Sequence, residues 1–128
     1  MGFDQYHEPA SDLPEEARTF ARIAANLIEE AEAIDWYEQR LSVEADADAR
    51  RIIEDARHEE YKHFAMDLEL LLRRRPEWRA IAQGVLFRSG SITANADAAE
   101  EGASEGADGG GGEDEGGSLG IGSLRGAS

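Results

Sequence analysis

"ARHEEYKHFAMDLELLLRRRP", residues 56–76, decides the fold. The stretch reads as the second half of a long amphipathic helix. Three arginines complement its negative C-terminal end, and Pro76 cannot continue its interior. Ala49, Ile52, Ile53, Ala56, Leu70 and Leu71 share one stripe of this helix. At 100° per residue Glu60 and His63 fall inside the arc of that stripe, and Asp67 falls there too. A carboxylate stripped of water is costly unless it is paired or binds a metal, so these positions demand partners.

Upstream, "SVEADADA" (residues 42–49) interrupts the periodicity, and its Ser and Asp suit a helix-to-helix turn with a new N-cap. Another long helix precedes it, with Asp12 as N-cap, Glu15 as capping-box partner and Pro14 tolerated in the first turn. Its stripe is Phe20, Ala24, Leu27, Ala31, Ile34 and Leu41, widened by Ile23 and Tyr37. Glu30 lies on that stripe, seven residues from both Ile23 and Tyr37. A turn centred near Ala45 or Asp46 leaves Glu30 and Glu60 each about 15 residues away. Antiparallel helices therefore bring the two glutamates to the same height.

One chain thus offers a Glu from one helix and a Glu-x-x-His from the other. That is half of the carboxylate di-iron constellation of ferritin-like bundles, and two chains complete it. Carboxylate oxygens with one imidazole per half suit iron or manganese, and redox chemistry favours iron. The chain contains no cysteine, which removes thiolate metal sites, disulfides and thiol nucleophiles together.

Downstream, "PEWRAIAQGVLF" carries Trp78, Ile81, Ala82 and Val85 at helical spacing, which predicts a short third helix to about Phe87, ended by Gly90. From Ala94 to Gly117 the Gly, Ala and acidic content predicts a flexible linker. Apolar residues then return in "SLGIGSLRG" (residues 118–126) as Leu119, Ile121 and Leu124. The expected architecture is all-α: a two-helix antiparallel hairpin plus a short third helix, pairing with a second chain into a four-helix bundle, with a disordered C-terminal tail. The expected segments are an arm (1–11), the helical domain (12–92), the acidic linker (93–117) and a terminal peptide (118–128).

The 128 residues carry a formal charge of −15, and residues 93–128 hold eight acids against one arginine. Such a chain repels phosphate backbones and attracts cations, so nucleic acid is a poor partner and metal ions are good ones. The N-terminal "MGFDQYHEPASDLPEE" lacks a basic start and an apolar run, and no segment approaches a membrane span. The expectation is a soluble cytoplasmic protein. So few packable residues bury little surface, which points to self-association.

Taken together, "EEAEAIDWYEQR" (29–40), "EEYKHFAM" (59–66), "HEP" (7–9) and "LGIGSLRG" (119–126) resemble the encapsulated ferritin family, cargo of encapsulin nanocompartments. The resemblance implies a ferroxidase centre at a two-fold interface between helical hairpins, and dimers that associate into rings. It matches Glu30, Glu60 and His63 to the iron ligands, Glu29 and Glu32 to acids guiding iron inward, and Trp36 and Tyr37 to aromatics beside the centre. It also assigns the terminal peptide to docking on an encapsulin shell protein. The long acidic tail and Asp67, where a neutral residue is expected, depart from the family pattern.

The residues alone also permit plainer roles. An isolated Glu-x-x-His in an acidic helix is usually a solvated face, and placement at mid-stripe opposite Glu30 argues against that here. Trp36 and Tyr37 suit interface packing, while Glu29, Glu32, His7 and His58 suit solvated surface. Asp67 suits pairing with a basic group of a partner helix, or orienting His63, better than ligation. The competing function is a non-catalytic helical adaptor whose buried acids set pairing register. A haemerythrin-like oxygen carrier would need more stripe histidines.

Overall fold

The computed structural model describes residues 6–108, and these are helical throughout apart from short connections. A 3-10 turn, Ala10–Asp12, precedes α1 (Glu15–Val43), α2 (Ala47–Arg74), α3 (Pro76–Val85) and α4 (Ile92–Asp108). The chain divides after Arg79 into two compact units, each described in turn.

In the first unit α1 and α2 form an antiparallel hairpin joined by Glu44, Ala45 and Asp46. Near the turn Arg50 reaches Leu41, further along Arg57 bonds Glu38, and at the open end Arg75 bonds Glu16. The turn is closed by polar groups. Asp46 Oδ2 caps α2 by accepting from the Ala49 amide at 2.9 Å, and Glu44 Oε1 accepts from the Asp46 amide at 3.0 Å. Arg50 Nη1 donates to the Leu41 and Glu44 carbonyls at 2.6 and 2.8 Å, satisfying acceptors that the end of α1 leaves open.

The open end is held by a cation–aromatic stack. The Arg75 guanidinium lies 4.3 Å from the Phe20 ring centre, and Phe20 meets Trp78 at 6.4 Å. Pro76 opens α3 as the sequence predicts, with Arg75 at the C-cap of α2. The interior is slight: only Leu41, Leu71 and Leu72 are buried among the described residues. Two helices side by side can hide one stripe each and no more. Ala31, read as part of the stripe, is exposed, and Ile52 is 71% exposed.

The start of α1 differs from the sequence expectation. Asp12 closes the 3-10 turn instead of capping the helix, and Pro14 occupies the N-cap with no side-chain hydrogen bond. The cause is local: a residue before proline is pushed to extended backbone, and Leu13 sits at φ −85°, ψ 131°. The helix cannot reach back past it. Glu15 instead pairs with Arg18 and Arg22.

In the second unit α3 stops at Val85, two residues before the expected end, and Phe87 takes the left-handed conformation (φ 61°) with Gly90 following at φ 92°. Gly84 is required there, because a Cβ on it would collide with that of Ala99. The stretch expected to begin a flexible linker is instead helical as far as Asp108. Ser91 Oγ accepts from the Ala94 amide at 3.2 Å, and five alanines between 94 and 103 supply strong helix propensity. The terminal peptide with Leu119, Ile121 and Leu124 lies outside the described residues.

Asp46→Ala removes the α2 cap and is expected to destabilise the chain by about 1 kcal/mol, read as a lower urea midpoint at unchanged slope.

Candidate metal centre

Glu30 from α1 and Glu60 and His63 from α2 each place a ligand atom so that all three lie within 4.8 Å of one another. The register of the hairpin does this. A three-residue turn between helices of 29 and 28 residues puts positions equidistant from the turn opposite each other. On α2, Glu60 and His63 are one turn apart on one face.

The three groups are half-buried. His63 Nδ1 stands 3.8 Å from Glu60 Oε2 and His63 Nε2 stands 3.9 Å from Glu59 Oε2, both too long for hydrogen bonds. The imidazole is thus available to a ligand. Glu59 is not equally available, because Lys62 at 2.7 Å holds its carboxyl below the usual range.

Glu30 Oε2 is shut off from water and meets no donor, and so is Asp67 Oδ2. The two carboxyls face each other, and as ionised groups both can only accept. Burial, then the facing Asp67 carboxyl as a hydrogen-bond partner and as a charge, then the Glu60 and Glu29 charges, push the Glu30 carboxyl up to about 7. A proton bound by Glu30 supplies the donor that is otherwise missing. A cation does the same work with more charge. Two carboxylates and one imidazole form a hard, oxygen-rich donor set that fits iron or manganese, and the orphaned buried oxygen of Glu30 fits a group that is to be ligated.

The other residues singled out in the sequence lie apart from this cluster. Glu29 is exposed and touches the centre only through its charge, since one step along a helix turns a side chain 100° away. Glu32 is half-buried and lies outside the three-donor group. Tyr37 shares the Glu30 stripe and carries Arg40 over its ring at 5.3 Å, whereas Trp36 is 45% exposed. His58 is exposed and packs on Tyr61. The sequence arc places Asp67 correctly and suggests a basic group or His63 as its partner. The structure sets it against Glu30 instead, a contact signalled by its seven-residue spacing from Glu60.

The metal-free chain should show this in its stability. A carboxyl raised from 4.5 to about 7 in the folded state contributes stability below pH 4.5 and loses it as pH rises through about 7. Glu30→Gln is therefore expected to gain stability relative to the parent at pH 8 and not at pH 4. Urea unfolding curves of the two in chelator, compared across pH, check this; a constant offset between them would sink it.

Comparison with known proteins places the chain among relatives. The EncFtn-like family pattern matches residues 5–89. A "Ferritin-like protein" of Thermotoga maritima is 43% identical over 118 residues, covering 92% of this chain and 96% of its own. An "Encapsulated ferritin-like protein" of Rhodospirillum rubrum is 42% identical over 122 residues, covering 94% and 87%. Among solved structures, the crystal structure of protein ne0167 from Nitrosomonas europaea superposes with a TM-score of 0.67 at 36% identity. It covers 70% of this chain and 98% of its own.

Proposed function

The chain belongs to the EncFtn-like family, and on that premise we propose that it is a ferroxidase whose di-iron centre forms between two copies. The observation that carries this reading is the convergence of Glu30, Glu60 and His63 from two helices into one half-buried cluster. Three donors are too few to fill the coordination of two iron ions, and a second copy brings three more.

The surroundings of the cluster suit such a partner. On α2, Ile52 and Met66 lie about 20° and 60° to one side of His63 around the helix, and they are 71% and 62% exposed. The donors thus open onto an apolar flank, which water covers poorly and a second hairpin covers well. Trp36, also exposed, adds apolar area to α1. Glu29 and Glu32 add negative charge that draws cations inward.

Iron is the substrate. Fe2+ bound by the carboxylates and imidazole gives one electron per ion to dioxygen, whose reduction takes up protons. Glu30 surrenders its own proton when the ion arrives, so binding couples to pH. His63 and Glu60 hold the ion without needing the backbone to move, because both sit on one rigid helical turn. Ferric product is then passed on for mineralisation in a surrounding compartment. The relative from Rhodospirillum rubrum is named as encapsulated, and residues 118–128, with Leu119, Ile121 and Leu124, are the segment we assign to docking on an encapsulin shell protein. Among the described residues no helix is long and apolar enough to cross a membrane.

Glu30→Ala, Glu60→Ala and His63→Ala are each expected to lower the rate of ferric absorbance growth under air by about a hundredfold or more, while His58→Ala oxidises iron like the parent. Size-exclusion runs on the same samples should show Fe2+ or Mn2+ promoting assembly of the parent and not of the ligand variants. A His63→Ala protein that oxidises iron at the parent rate would overturn the site.

Deleting residues 118–128 is expected to leave iron oxidation in solution intact and to abolish co-purification with a co-expressed shell protein. Loading at the parent level would move the docking function into the helical body.

A further inference from the structure

Glu30 has two sets of neighbours. One carboxylate oxygen joins Glu60 and His63 in the three-donor cluster. Its Oε2 is closed to water without a donor, and Asp67 Oδ2 is likewise closed and unsatisfied against it. Asp67 follows His63 by one turn and Glu60 by two, about 40° and 20° away around α2. It therefore lies on the same arc, one level further along.

Two acceptors in contact, without water or a donor, make an arrangement that a hard cation satisfies and that a neutral side chain does not. Both oxygens are already closed to water within a single chain, unlike the exposed apolar flank beside His63. We propose that Asp67 is a further metal-binding carboxylate of this chain, sharing a hard divalent cation with Glu30 beside the Glu30–Glu60–His63 cluster. The proposal rests on the reading of that cluster as a metal centre.

In this arrangement the Glu30 carboxylate serves both the three-donor cluster and Asp67. Each chain then contributes three carboxylates to one imidazole. That donor balance favours oxygen-seeking ions such as Mn2+ and Fe2+ over Zn2+. It also gives an incoming ion a resting place within one chain, next to the position it occupies when two chains close.

The test counts Mn2+ bound per chain, from the electron paramagnetic resonance signal of the free ion, in titrations of the full chain at about pH 8, where Glu30 has lost its proton. The parent is compared with Asp67→Asn and Asp67→Ser, and with Glu60→Gln and His63→Ala as controls. Both Asp67 variants are expected to bind fewer Mn2+ per chain, with an apparent affinity about tenfold or more below the parent, and with unchanged helicity by circular dichroism. The opposite sign overturns the proposal. If Asp67 only crowds Glu30, the asparagine amide gives Glu30 its missing donor and relieves the repulsion, so Asp67→Asn binds Mn2+ as well as the parent or better. Should Asp67→Asn fail to fold, Asp67→Ser decides on the same criterion. The controls separate the two readings. Loss of Mn2+ from Glu60→Gln and His63→Ala with none from the Asp67 variants defeats only the Asp67 assignment, whereas parent-like binding by the controls defeats the centre itself.

Discussion

Glu30 is a carboxylate set where two helices must touch, and the rest of the hairpin is arranged around that conflict. Burial makes its charge expensive, and the neighbouring Asp67, Glu60 and Glu29 make it more so. In a chain without metal, the same groups that converge on the centre push each other apart. On the proposed reading of the cluster as a metal centre, a bound cation offsets these repulsions, because its carboxylate ligands then face a cation before they face one another. On the function proposed above, folding, pairing and metal uptake become one equilibrium and not three.

The slight interior would give such an ion more weight. With three leucines as its buried set, the hairpin draws limited stability from apolar burial. Its geometry depends on polar closures at both ends, Arg50 and Asp46 at the turn and Arg75 with Phe20 at the open end. These closures fix the register, and register is what the centre cannot do without. A slip of one residue turns a helical side chain by about 100° and moves it about 1.5 Å along the axis, enough to take Glu30 off the shared face.

Much of this was legible in the sequence. The stripe arithmetic and the position of the turn placed Glu30 against Glu60 and His63, because helices of nearly equal length meeting at a short turn leave little freedom. What was missed has local causes. The proline at position 14 overrode a capping pattern that looked sound at Asp12 and Glu15. The alanines of residues 94–103 outweighed glycine and charge that read as a linker. Angular position on a helix also does not name a neighbour: it placed Ile52 on the stripe and Asp67 on the arc, and left open that Ile52 faces outward in one chain and that Asp67 meets Glu30.

Helix α4 changes the mechanics of whatever the chain is joined to beyond Asp108. Seventeen residues in helical form span about 25 Å, while the same residues as a flexible coil have a root-mean-square span of about 23 Å, nearly the same. The difference is in the spread. A coil samples everything from contact to full extension and pulls back like an entropic spring, whereas a helix is a strut that holds one length. Its foothold at Gly84 against Ala99 leaves no room for even a methyl group. A substitution there would act on the seating of the strut, altering its pointing without altering its length.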